Sequence, residues 1–197
     1  MIWTVQIMRK YIFLVLFLVC FAVCGSACQH SDGRNTVSAD KYFSVCTERD
    51  GRYAYSVFGT DGKAILSETS DQPVRISMVD GSIADIATDC GSGLVTHVYC
   101  DVKSGSVSQK FSYVFAYSDG EIAYIYVPKD NPIKGRKVIV QNAFDNGALY
   151  REFKFDFADV DTPITDASFS EDGKELTLTY LFGEEQTERT ETVGLGE

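Results

Sequence analysis

Two histidines, a handful of cysteines and a surplus of carboxylates are what this chain offers for chemistry. Histidine is the commonest general base, because its pKa lies close to neutrality. His30 falls in a small, polar stretch where no pocket can form. His97 alternates with Val95 and Tyr99 in a strand-like run, so it shares their sheet face. It is expected to pack as a structural residue enclosed by neighbouring strands. No Ser-His-Asp, Cys-His or nucleophile-elbow pattern is present, and no catalytic residue is expected. Glycosidases need two flanking carboxylates, but nothing singles out a pair, and most Asp and Glu sit at hairpin tips. Asp156, Asp159 and Asp161 carry oxygens of the kind that bind calcium. The central Gly and closing Glu of an EF-hand loop are missing there. No metal and no cofactor is expected.

Cysteine usage points the same way. Cys46, Cys90 and Cys100 form no CxxC or Cys/His cluster, so zinc is not indicated. Cys90 and Cys100 flank Gly91-Ser92-Gly93, but a hairpin centred near Ser92 would pair Cys90 with Leu94. At least one of the three thiols is therefore expected to be unpaired and partly buried. Tyr53 with Tyr55, Tyr113 with Tyr117, and Tyr124 with Tyr126 fall on alternating positions, placing each pair on one sheet face. Packed, they are ordinary core and cross-strand residues. Exposed, they would offer a surface for sugars or protein, since tyrosine joins rigid apolar area to a hydroxyl.

The N-terminus gives an address. Arg9 and Lys10 precede a continuous apolar run over 11–23, followed by Gly25-Ser26-Ala27-Cys28. A basic segment, a short apolar stretch and small residues before a cleavage point make a secretory signal over 1–27. The run is too short for a span of roughly 20 residues. Gly25-Ser26-Ala27-Cys28 resembles the lipobox of bacterial lipoproteins, although the family prefers Leu where Gly25 stands. The resemblance implies that Cys28 carries lipid, including palmitate, and that the domain sits on the outer face of a cell membrane. Cleavage after Ala27 with plain secretion is the alternative. Removing the signal leaves 170 residues and takes the formal net charge from −10 to −12, since Arg9 and Lys10 are its only charges. Such acidity argues against nucleic acid and against electrostatic adhesion to anionic lipid.

Residues 28–40 read as a tether and 41–197 as a single all-β domain. Runs rich in Tyr, Phe, Val, Ile and Thr end at Asp50-Gly51, Asp61-Gly62, Asp80-Gly81, Asp119-Gly120, Asn146-Gly147 and Asp172-Gly173. Such pairs suit tight hairpins. Gly51, Gly93, Gly135 and Gly173 recur at intervals of about 40 residues, the period of strand-built propeller blades. Each marks the first turn of a similar unit of strand, turn, strand, turn and strand, and segments near 74–78 and 113–117 supply extra strands. The stretch 167–176, Ala-Ser-Phe-Ser-Glu-Asp-Gly-Lys-Glu-Leu, is similar to the repeat of WD40-like, TolB-type propellers. The expected fold is a propeller-like array of about four antiparallel hairpin units, with a β-sandwich or barrel as the alternative. The signal and the acidic, strand-rich body resemble small lipoproteins of low-GC Gram-positive bacteria. The function expected is a surface-tethered, non-catalytic binding or scaffolding module, its partner an envelope protein or glycan. A polysaccharide-acting hydrolase, or a partner or inhibitor of another envelope protein, is the alternative.

Overall fold

Residues alternate between apolar and polar along nearly every run, and that period of two commits the chain to strands. The computed structural model describes residues 35–129, 135–145, 147 and 150–196. The signal, Cys28 and His30 lie outside them. Among the described residues there is no helix. The first sheet contains β1 (Asn35–Ala39), β2 (Phe43–Thr47), β3 (Tyr53–Phe58) and β4 (Ala64–Ser70). The second contains β5 (Val74–Met78), β6 (Ile83–Asp89), β7 (Val95–Asp101) and β8 (Phe111–Ser112). The third contains β9 (Val114–Ser118), β10 (Glu121–Tyr126), β11 (Lys137–Asn142) and β12 (Tyr150–Phe153). The fourth contains β13 (Ile164–Phe169), β14 (Glu175–Phe182) and β15 (Thr187–Gly194). Within each sheet the strands follow chain order and pair antiparallel, and no sheet closes into a barrel. The result is the expected propeller-like array of four units, with β5 and β9 supplying extra strands near the anticipated places.

The glycine period follows the sheets. Gly51, Gly93 and Gly135 fall between the second and third strands of their sheets. Gly173 falls between β13 and β14, so the four match when strands are counted back from the last of each sheet. The fourth sheet simply lacks a counterpart of β1, β5 and β9. Asp50, Asp61 and Asp172 each accept a hydrogen bond from the backbone N–H two residues on, at 3.1, 3.0 and 3.2 Å. An Asp that caps its own turn, followed by a residue free to take positive φ, explains why the same dipeptide recurs. At the β9–β10 turn both Asp119 and Gly120 are left-handed, with φ of 47° and 85°, as a type I′ hairpin requires.

One boundary differs from the expectation. The segment read as tether through Asp40 carries β1, which pairs with β2 over Asn35–Thr47 to Ala39–Ser44. Its residues 36–39 are exposed, so backbone pairing at a sheet edge holds it and burial does not. A polar composition hid the strand for that reason.

Three apolar layers join successive sheets. Phe43, Val45, Tyr55 and Val57 meet Val74, Ile76, Ile86 and Val102 between the first and second sheets. Ile83, Tyr99 and Phe111 meet Ile122 and Ala143 between the second and third. Ala123, Val138 and Val140 meet Leu176, Leu178 and Tyr180 between the third and fourth. Each inner sheet thus packs against a neighbouring sheet on both faces. A single residue, Tyr113, carries the chain from β8 in the second sheet to β9 in the third, at φ 58°.

Candidate functional site

A cleft of about 350 Å³ opens where the second, third and fourth sheets approach one another. Its second-sheet wall is formed by Arg75 of β5 with Val95 and His97 of β7. Opposite lie Val114 and Phe115 of β9, Ile125 of β10, and residues 161–164 leading into β13. The register explains the polar wall. Arg75 pairs with Ala87, Ala87 with His97 and His97 with Phe111, so all four side chains share one face in a single row. The strands of Arg75 and His97 are two inter-strand spacings apart, roughly 10 Å.

His97 packs against its own strand, as anticipated, but it is only partly enclosed. Its ring stacks on Tyr99, with centroids 6.3 Å apart, while its edge forms part of the cleft wall. Nδ1 lies 3.0 Å from each oxygen of Asp85. Both side chains are mostly buried, at 17% and 14% exposed. A carboxylate can only accept, so Nδ1–H donates. The correction has a plain cause: polar side chains on this face keep the third sheet from closing onto it at this end.

The aromatic column behind His97 is built more firmly. Tyr99 stacks on Tyr117 at 5.4 Å. The Tyr117 hydroxyl donates to Asp80 Oδ2 at 2.8 Å. Oδ1 of Asp80 accepts from the backbone N–H of Ser82 and Ile83, each at 2.8 Å. Burial opposes ionisation of Asp80, but the Ser82 N–H, the Tyr117 hydroxyl and the Ile83 N–H outweigh it and hold its pKa below the ordinary value. Burial, with the Asp85 charge, raises the Tyr99 phenol well above its usual range. Burial and the bond to Asp80 do the same for Tyr117. This clasp ties the β5–β6 turn to the third sheet.

Tyr113 is strained and half-open. Positive φ is uncommon for a bulky residue and costs of order 1–3 kcal/mol. Its carbonyl accepts the Ile125 N–H at 3.2 Å, its side chain is 40% exposed, and it lines the cleft. Of the other tyrosines singled out by alternation, Tyr55 is buried and donates to Glu68 at 2.7 Å. Tyr124 donates to Gln141 at 3.2 Å, and Tyr126 is largely exposed. The alternating tyrosines therefore divide between core and surface.

The remaining candidates do not converge. Asp156, Asp159 and Asp161 are exposed, and among the described residues no group of three His, Cys, Asp or Glu is placed to hold a metal. Only Asp161 of the three lines the cleft. The β6–β7 hairpin pairs the Cys90 N–H with the Leu94 carbonyl at 2.8 Å, as expected. Cys90 is an exposed free thiol and Cys100 a buried one, whereas Cys46 is disulfide-bonded. Burial, then the Glu68 charge, pushes the Cys100 thiol up to about 12. Asp85 was legible in principle. The Cys90–Leu94 turn sets the register that places it opposite Tyr99 and diagonal to His97. Arg75 and the strain at Tyr113 had no signal, because both depend on which sheets meet. The chain matches no protein-family model and no curated protein.

Proposed function

We propose that this domain is a non-catalytic binding module that takes a small amphipathic ligand in the three-sheet cleft. Acylated Cys28 would tether it to the outer face of a cell membrane, and two or more acyl chains are needed for a stable hold. The observation that supports the binding reading is one cavity with an apolar wall and a few polar groups on the other side, the usual make-up of ligand sites. Its volume suits a small molecule and not a folded partner. Binding to the native state raises Tm by mass action. A panel of small amphipathic solutes should therefore contain members that raise the Tm of the wild type but not of Val114→Trp, which fills the cleft. A panel that shifts neither protein rejects the reading. The anchor has its own test: Cys28→Ala should move the protein from the membrane fraction to the medium. An unmodified N-terminal Cys28 in the wild type would point to secretion.

A second reading, hydrolysis, is favoured by the His97–Asp85 bond alone. Asp85 orients the ring, and Nε2 would take a proton from water as it adds to an ester carbonyl; the tetrahedral intermediate would then break its C–OR bond, the proton passing from Nε2–H to the departing alcohol. General base catalysis contributes about 10²–10⁴-fold, so His97→Gln should lower turnover of a chromogenic ester by at least about 10²-fold. Absence of turnover by the wild type removes this reading. The two-carboxylate route to polysaccharide hydrolysis has less support, because Asp161 is the one carboxylate among the cleft-lining residues.

A further inference from the structure

Arg75 and Asp161 stand out in the cleft because they carry opposite charges and neither has an ion-pair or hydrogen-bond partner among the described residues. Both line the same cavity and both are exposed. They lie in different sheet regions, Arg75 on β5 and Asp161 in the approach to β13. The same cavity is lined by apolar Val95, Val114, Ile125 and Ile164.

From this juxtaposition we infer that the ligand is a zwitterion with an apolar side chain, a free α-amino acid or a dipeptide, its carboxylate on Arg75 and its ammonium on Asp161. The inference rests on the binding reading and narrows it. A guanidinium presents a planar fork of donors that matches a carboxylate in two parallel bonds. A carboxylate accepts from ammonium in return. A simple anion would meet Arg75 but face Asp161, with the Asp85 carboxylate close behind His97. A simple cation would meet Asp161 but face Arg75. A neutral solute would bury apolar surface and leave both charges without partners as water is displaced, which carries a penalty. Only a ligand carrying both charges answers both walls. The cavity of about 350 Å³ admits a body of amino-acid or dipeptide size.

The test uses the full chain and four probes: L-leucine, N-acetyl-L-leucine, L-leucinamide and N-acetyl-L-leucinamide. Binding is followed by NMR shifts of the cleft residues. L-leucine should bind most tightly, and each singly blocked form about tenfold more weakly, the scale of one lost charge-assisted contact. Arg75→Ala should weaken L-leucine about tenfold while leaving L-leucinamide unchanged. Asp161→Asn should weaken L-leucine but not N-acetyl-L-leucine. The inference is overturned if N-acetyl-L-leucinamide binds as tightly as L-leucine, or if Arg75→Ala leaves L-leucine affinity intact. In both cases the binding reading stands. If none of the four binds while another solute shows the Tm shift that Val114→Trp abolishes, the ligand class alone is wrong. If no solute shows that shift either, both readings fail.

Discussion

On the face of the second sheet turned toward the first, Val74, Ile76, Ala84, Ile86 and Cys100 are all buried. The opposite face of the same strands carries Arg75, Ser77, Asp85, Ala87, His97 and Tyr99. One face is an aliphatic layer that excludes water, and the other is an aromatic and polar surface that closes at one end and gapes at the other. The difference shows how a twofold alternation lets a strand serve two purposes. The closed face supplies stability by burying apolar area. Polar groups on the other face can then stay partly hydrated, and their incomplete packing leaves the cleft.

The strongest way to break this comparison is to cut the closed face. Ile86 is 1% exposed, and Ile86→Ala should destabilise the fold by about 2–5 kcal/mol, the cost of lost transfer energy plus a cavity. Urea denaturation reads it directly. A loss below about 1 kcal/mol would mean that this layer is not the main support of the second sheet.

A smaller effect is expected at the clasp beside the open face. Asp80→Ala strands the N–H groups of Ser82 and Ile83 and the hydroxyl of Tyr117, at about 1–3 kcal/mol. The pH dependence sharpens this. Because Asp80 is held below its ordinary 3.8, its charge contributes fully above that value, and the contribution is lost as pH falls through the lower folded value. The stability gap between wild type and Asp80→Asn should therefore be constant near neutrality and shrink in acid below about pH 3.8. A gap that widens in acid has the wrong sign for this account.

His97→Gln should cost about 1 kcal/mol, one partly buried hydrogen bond to a carboxylate. Calorimetry against Ile86→Ala would show which face matters more. A larger loss at His97 than at Ile86 would invert the comparison. Smallest of all, Arg75→Ala should shift stability by less than about 0.5 kcal/mol, as for exposed substitutions away from structural features. If it unfolds the protein, Arg75 belongs to the scaffold and not to the cleft.

Much of the architecture was readable from local chemistry. The Asp-Gly turns, the extra strand at β5 and the Cys90–Leu94 hairpin each follow from residues close in sequence, whose conformational preferences act without distant partners. The edge strand β1 was not readable, because its exposed residues 36–39 are held by backbone bonds to β2 and leave no apolar pattern. His97 was read as packed because alternation assigns a face but not what covers it. The dyad with Asp85 needed only the hairpin register; the cleft edge needed the third sheet.

What the sequence by itself determined is the strand content, the four-unit order and the two-faced character of the second sheet, since these are set by alternation and turn residues over short distances. What only the tertiary structure decided is which faces close. Arg75 and His97 precede Asp161 by 86 and 64 residues, on three separate segments, and they share a cavity because sheets pack by shape and not by sequence order. The left-handed Tyr113 that passes the chain from one sheet to the next, and the gap left where polar side chains resist burial, exist only once those sheets have met.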